Sequence, residues 1–111
     1  MVLLVIVLSD SALLEEVLEA FLEIGVQGAT VLGAQGMGEI LSQEVPIFAG
    51  LRQLFPGGEG KHRLILSVTD RAKAAEAVGL LESIGGPLAD KGSGIAFTLP
   101  VDSLWGLAEE L

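Results

Sequence analysis

The chain has 111 residues, half of them hydrophobic, no cysteine, and 15 acidic against 6 basic residues for a net charge of −9. That length suits one domain, residues 1–111, with a modest core, and the missing thiols exclude disulfides, thiolate metal sites and cysteine nucleophiles. A negative charge of this size repels phosphate backbones and argues against nucleic-acid binding.

The apolar run Val2-Leu3-Leu4-Val5-Ile6-Val7-Leu8 lacks a basic flank and a cleavage site and is far short of a membrane span, so it reads as a buried strand rather than a leader or an inserted segment. Cytoplasmic residence is the expectation. Ser9-Asp10-Ser11 offers helix-capping oxygens. Leu14, Val17, Leu18, Phe21 and Leu22 then recur at helical spacing, with Glu15, Glu16, Glu19 and Glu23 facing out, until Gly25 stops the helix. A second strand is expected over residues 29–35. It runs into Gly33-Ala34-Gln35-Gly36-Met37-Gly38, whose glycines permit a sharp turn that presents N–H groups. No helix is expected directly after this turn and no Gly-Lys-Ser/Thr is present, so it fails as a Rossmann or Walker loop. A tight strand exit and a ligand-facing turn both remain open.

Residues 39–62 form a long connection, and connections of this length in compact domains are usually functional or disordered. Pro46 stands at a possible first helical position, and Ile47, Phe48, Leu51, Leu54 and Phe55 share one helical face before Pro56-Gly57-Gly58. A short amphipathic helix is therefore expected, either packed as a lid or offered to a partner together with Arg52. Gly58-Glu59-Gly60 suits a hinge. Lys61, His62 and Arg63 then gather positive charge, to hold an anion or to pair with carboxylates.

The opening pattern now returns. Leu64-Ile65-Leu66-Ser67-Val68 repeats the strand, Thr69-Asp70 the cap, Ala74, Ala77, Val78 and Leu81 the apolar helix face, and Gly85-Gly86 the stop. Asp10 to Gly25 and Asp70 to Gly85 span equal distances, which predicts helices of equal length. A glycine-rich turn, Gly85 to Gly94, leads into the last strand Ile95-Ala96-Phe97-Thr98-Leu99, and its Lys91-Gly92-Ser93-Gly94 could cradle a phosphate. Two such β-α-β units pack most simply as an α+β, ferredoxin-like β-α-β-β-α-β domain: a four-stranded antiparallel sheet, two helices on one face, and a long loop between strands 2 and 3. Because strand 1 is apolar on both faces, the helix-free face should be covered by another copy of the chain. Trp105 is expected to anchor an interface or the core.

On these residues the chain resembles PII-type signalling proteins. The resemblance covers nearly the whole length. It rests on the double β-α-β unit, Gly28-Ala29-Thr30-Val31 with Gly36-Met37-Gly38, the long excursion in the place of the family's T-loop, Gly92-Ser93-Gly94 in the place of its B-loop, and Phe97-Thr98-Leu99-Pro100-Val101 as its last core strand. The resemblance implies a homotrimer with an adenine nucleotide, whether ATP, ADP, AMP or a cyclic dinucleotide, as effector rather than obligatory cofactor. Thr30, Gly36, Met37, Gly38 and Arg63 would lie on one side of the cleft and Lys91, Gly92, Ser93 and Gly94 on the phosphate side. It also implies signalling through the long loop to a target enzyme or membrane transporter. Glu39 and Ile95 stand where nitrogen-regulating members usually carry cations, the family's arginine-rich C-terminal segment is replaced by residues 101–107, and there is no tyrosine to modify. Ser42 is the single hydroxyl between Glu39 and Arg63. These departures mark a divergent PII-like protein and weaken the case for ATP.

An enzyme is not expected. The sole histidine, His62, has no thiol to activate and no evident serine or carboxylate partner, so it reads as a solvated strand-end residue. One histidine and no cysteine also speak against a transition-metal site. The alternatives are an amino-acid sensor of the ACT type, which shares the element order, and a CutA-like structural trimer that binds no nucleotide.

Overall fold

The computed structural model describes residues 1–26, 28–44, 62–90 and 94–107. Its elements are β1 (Val2–Leu8), a 3-10 turn (Ser11–Leu13), α1 (Leu14–Glu23), β2 (Thr30–Ala34), α2 (Met37–Glu44), β3 (His62–Thr69), α3 (Arg71–Gly85) and β4 (Gly94–Pro100). The four strands form one sheet in the order β2-β3-β1-β4 with every neighbouring pair antiparallel. This is the ferredoxin-like α+β architecture that the two half-repeats imply.

The repeat is not symmetrical in its helices. Asp10 accepts a hydrogen bond from the Ala12 amide, two residues on, at 2.9 Å, which tightens the first turn into a 3-10 turn and leaves α1 with 10 residues. Asp70 instead accepts from the Lys73 amide, three residues on, at 2.7 Å, so α3 starts as an α-helix and runs for 15 residues. The expectation of equal helices is corrected: the 3-10 turn takes the first three residues from α1, and α1 stops at Glu23 whereas α3 runs on to Gly85.

The core lies between the helices and one sheet face. Val2, Leu4, Ile6 and Leu8 of β1 alternate onto this face and pack with Ile65, Val17, Phe21, Val26, Ala74, Ala77 and Leu81. The small residues Ala74 and Ala77 let α3 come close to the sheet. In β3 the helix-facing positions are Arg63, Ile65, Ser67 and Thr69, whereas Leu64, Leu66 and Val68 point away from the helices. Buried Ser67 is accommodated because its hydroxyl donates to the Gly28 carbonyl at 2.6 Å, which ties the approach to β2 onto β3.

The helix-free face is the more uniformly apolar of the two. By register it carries Leu3, Val5 and Val7 of β1, Leu64, Leu66 and Val68 of β3, Ile95, Phe97 and Leu99 of β4, and Leu32 of β2. Val5 at its centre is 8% exposed, while Ile95, Phe97, Leu99 and Leu32 are all exposed. Trp105 is 86% exposed, so it anchors no core within this chain.

Gly94 opens β4 with φ +122, and a Cβ there would collide with the Val7 carbonyl oxygen of the neighbouring strand. Gly94→Ala should therefore cost about 3 kcal/mol through backbone strain and steric clash, and Phe21→Ala about 3–5 kcal/mol through the cavity it leaves. Urea denaturation at fixed protein concentration checks both. Gly79→Ala, at a helical position with open space around it, should be neutral or slightly stabilising in the same assay.

Candidate functional site

Strand register places the end of β2 and the start of β4. Gly33 pairs with Arg63, Arg63 with Leu8, and Leu8 with Gly94, so one row crosses all four strands. The exit from β2 and the start of β4 are thus at the same end of the sheet and on its opposite edges. Three strand spacings separate them, about 14 Å.

The β2 exit is more structured than its sequence suggests. A helix does follow the turn directly: α2 begins at Met37, with the Ile40 amide donating to the Gly36 carbonyl at 3.1 Å. The amides of Met37, Gly38 and Glu39 form its first turn, which has no intrahelical acceptors to use and carries the positive end of the helix dipole. Glu39 occupies the third helical position, where a carboxylate suits that dipole, and is only 2% exposed. Glycine is a weaker capping signal than Ser, Thr, Asp or Asn. The Met37, Ile40, Leu41, Glu44 spacing with an acid at the third position was the available clue.

His62, paired with Ala34 at the start of β3, faces this turn. A Cβ added to Gly36 would lie 3.5 Å from both Cε1 and Nε2 of its ring. Its Nδ1 is buried and has no hydrogen-bond partner among the described residues, which corrects the expectation of a fully solvated side chain. The adjacent Arg63 is part-buried and donates from Nη1 to the His62 carbonyl at 2.9 Å. Met37 is exposed, Gly36 and Gly38 half-buried. Gly36 and His62 therefore adjoin, and Met37, Gly38 and buried Glu39 continue the same turn, while Arg63 lies on the helix-facing side of β3.

The remaining expected positions fall elsewhere. Thr30 lies in the row Thr30, Leu66, Val5, Phe97, on the helix-free face and about 10 Å along β2 from Gly33. Gly94 stands at the far edge of the sheet from Gly36. Lys91, Gly92 and Ser93, and the loop positions Ile47, Phe48, Leu51, Arg52, Leu54 and Phe55, lie outside the described residues. Ile95 pairs with Val7 on the apolar face. Among the described residues no group of three His, Cys, Asp or Glu side chains is placed to hold a metal ion, and no helix is long and apolar enough to cross a membrane.

No family model matches the sequence, and no curated protein matches it. Solved structures do match. Among them is the crystal structure of a protein from Thermus thermophilus named, provisionally, as a PII-like signalling protein: 18% identity, TM-score 0.57, covering 88% of this chain and 82% of that one. The fold is PII-like. At this identity the likeness speaks to fold, and the site rests on its own geometry.

Gly36 and His62 supply a test of that geometry. Gly36→Ala should be accepted at about 1 kcal/mol, the usual loss at a helix cap, whereas the added methyls of Gly36→Val should displace the imidazole. Because His62 is the only histidine, its ring resonances in NMR report one group. They should move strongly in Gly36→Val and stay in place in Gly79→Ala; unmoved resonances in the valine variant would show that turn and ring are not in contact.

Proposed function

We propose that this protein is a non-enzymatic, PII-like regulator in which copies of the chain associate, as a homotrimer, around their helix-free sheet faces. In this reading a small effector binds in the clefts between copies and alters a loop that signals to a protein partner. The observation that carries it is the single row from Gly33 to Gly94: each chain offers one glycine turn at each edge of the same sheet end, and association of copies can bring unlike turns together. The effector class is an adenine nucleotide, held by first-turn amides of α2 with Arg63 and His62 on one side and by the Lys91 to Gly94 turn of a neighbour on the other. Its binding would favour one loop arrangement over another to the extent that it contacts the two differently.

Buried Glu39 in the first turn of α2 and Ile95 on the apolar face favour an effector with little phosphate charge, AMP or a cyclic dinucleotide, over ATP. Titration calorimetry with ATP, ADP, AMP, cyclic dinucleotides and amino acids separates the readings. Saturable heats from a nucleotide, weakest for ATP, are expected. Silence with every nucleotide at millimolar concentration sinks the proposal, and heats from amino acids alone point to an ACT-type sensor.

Assembly is tested separately. Light scattering should give a trimer for the wild type, and Phe97→Glu, which sets a charge on the exposed part of the apolar face, should dissociate it while circular dichroism keeps its helical signal. A wild-type monomer at micromolar concentration would remove the basis for an intersubunit cleft.

A further inference from the structure

The opposite end of the sheet carries a second pair of unmatched features. Pro100 pairs with Val2, which also pairs with Thr69, and after the Val101 amide donates to the Met1 carbonyl at 3.2 Å the chain leaves the sheet. It then exposes Leu104 and Trp105, and Trp105 is 86% accessible. An indole left in water forgoes the burial that makes aromatic side chains the usual anchors of interfaces.

On the other edge of the sheet, at the same end, α1 and the approach to β2 enclose an open groove of about 370 Å³. Its floor is Leu18, Phe21, Leu22, Val26 and Ala29, and Glu15 and Glu19 stand on its rim. Phe21 and Val26 are held in place by the Val26 amide, which donates to the Phe21 carbonyl at 2.9 Å. Leu22 is 60% exposed. The adjoining edge strand β2, Thr30-Val31-Leu32-Gly33-Ala34, has no charged residue or proline to discourage a neighbour.

We propose that Trp105 of one copy seats in the α1–β2 groove of a second copy of this chain. The chemistry is complementary: an apolar floor takes the ring, and rim carboxylates accept from the indole N–H, which can only donate. The topology is complementary too, because donor segment and groove lie on opposite edges at one end of the sheet. Copies placed edge to edge bring them together in a head-to-tail contact that closes into a ring when the rotation permits. This contact goes beyond the effector reading and sits at the other end of the sheet from the glycine turns.

Trp105 is the only tryptophan, so fluorescence reads this one site. Wild-type oligomer should emit to the blue of free indole and resist acrylamide quenching. Leu22→Glu should lose the blue shift and gain quenching several-fold with its circular dichroism unchanged, and Leu22→Gln should do the same if the added charge unfolds α1. Leu22→Glu chains refolded with mass-tagged Trp105→Ala chains should regain part of the shift in the mixed oligomers identified by native mass spectrometry. Water-exposed emission from the wild-type protein, shielding that survives both Leu22 variants, or mixed oligomers without recovery would each overturn the contact. Nucleotide calorimetry on the same samples keeps the two readings apart. Nucleotide heats with an indole in water remove only the docking, whereas a shielded indole without nucleotide heats removes only the effector.

Discussion

A four-stranded sheet with two apolar faces and helices for only one of them is the constraint from which the rest of this molecule follows. Most of the large hydrophobic residues of β3 and β4, Leu64, Leu66, Val68, Ile95, Phe97 and Leu99, point away from α1 and α3. Beneath the helices β3 places Ser67 and Thr69 instead, both buried. A protein that keeps polar groups under its helices and exposes Ile95, Phe97 and Leu99 on its open side still has apolar surface uncovered after folding. Contiguous apolar surface of this kind marks an interaction site in soluble proteins.

The second ordering principle is register. Because side chains alternate strictly along a strand, pairing Ile6 with both Ile65 and Ala96 sets every other residue of the sheet on its face and aligns both strand ends that carry glycine turns. The turn after β2 is then stiffened by α2 and by the imidazole of His62 against Gly36.

Much of the fold was legible in the sequence because its signals are redundant. The run from Val2 to Leu8, the caps Asp10 and Asp70, the stops Gly25 and Gly86 and the spacing of Ala74, Ala77 and Leu81 all agree with one another, and such agreement across levels is what specifies a fold. The site was less legible. A helix beginning at Met37 has glycine where a capping hydroxyl or carboxylate is the stronger sign, and its eight residues give little periodicity to read. The burial of Glu39 and of the His62 Nδ1 arises from tertiary packing, which residue order alone does not display. Cap geometry at Asp10 and an earlier stop at Glu23 together broke the symmetry that equal spacing had suggested. Trp105 reads in the sequence as an anchor of the core or of an interface, and within this chain its ring is left exposed.

The row that joins Gly33 to Gly94 has a consequence for inheritance as well as for shape. On the proposed reading, it gives every chain two half-sites facing opposite ways and no whole one. In a closed ring each cleft draws on two chains and each chain serves two clefts, so a copy damaged at one turn spoils a single cleft and still completes the next. Mixed rings of intact and defective chains would therefore lose response in steps, cleft by cleft, rather than all at once.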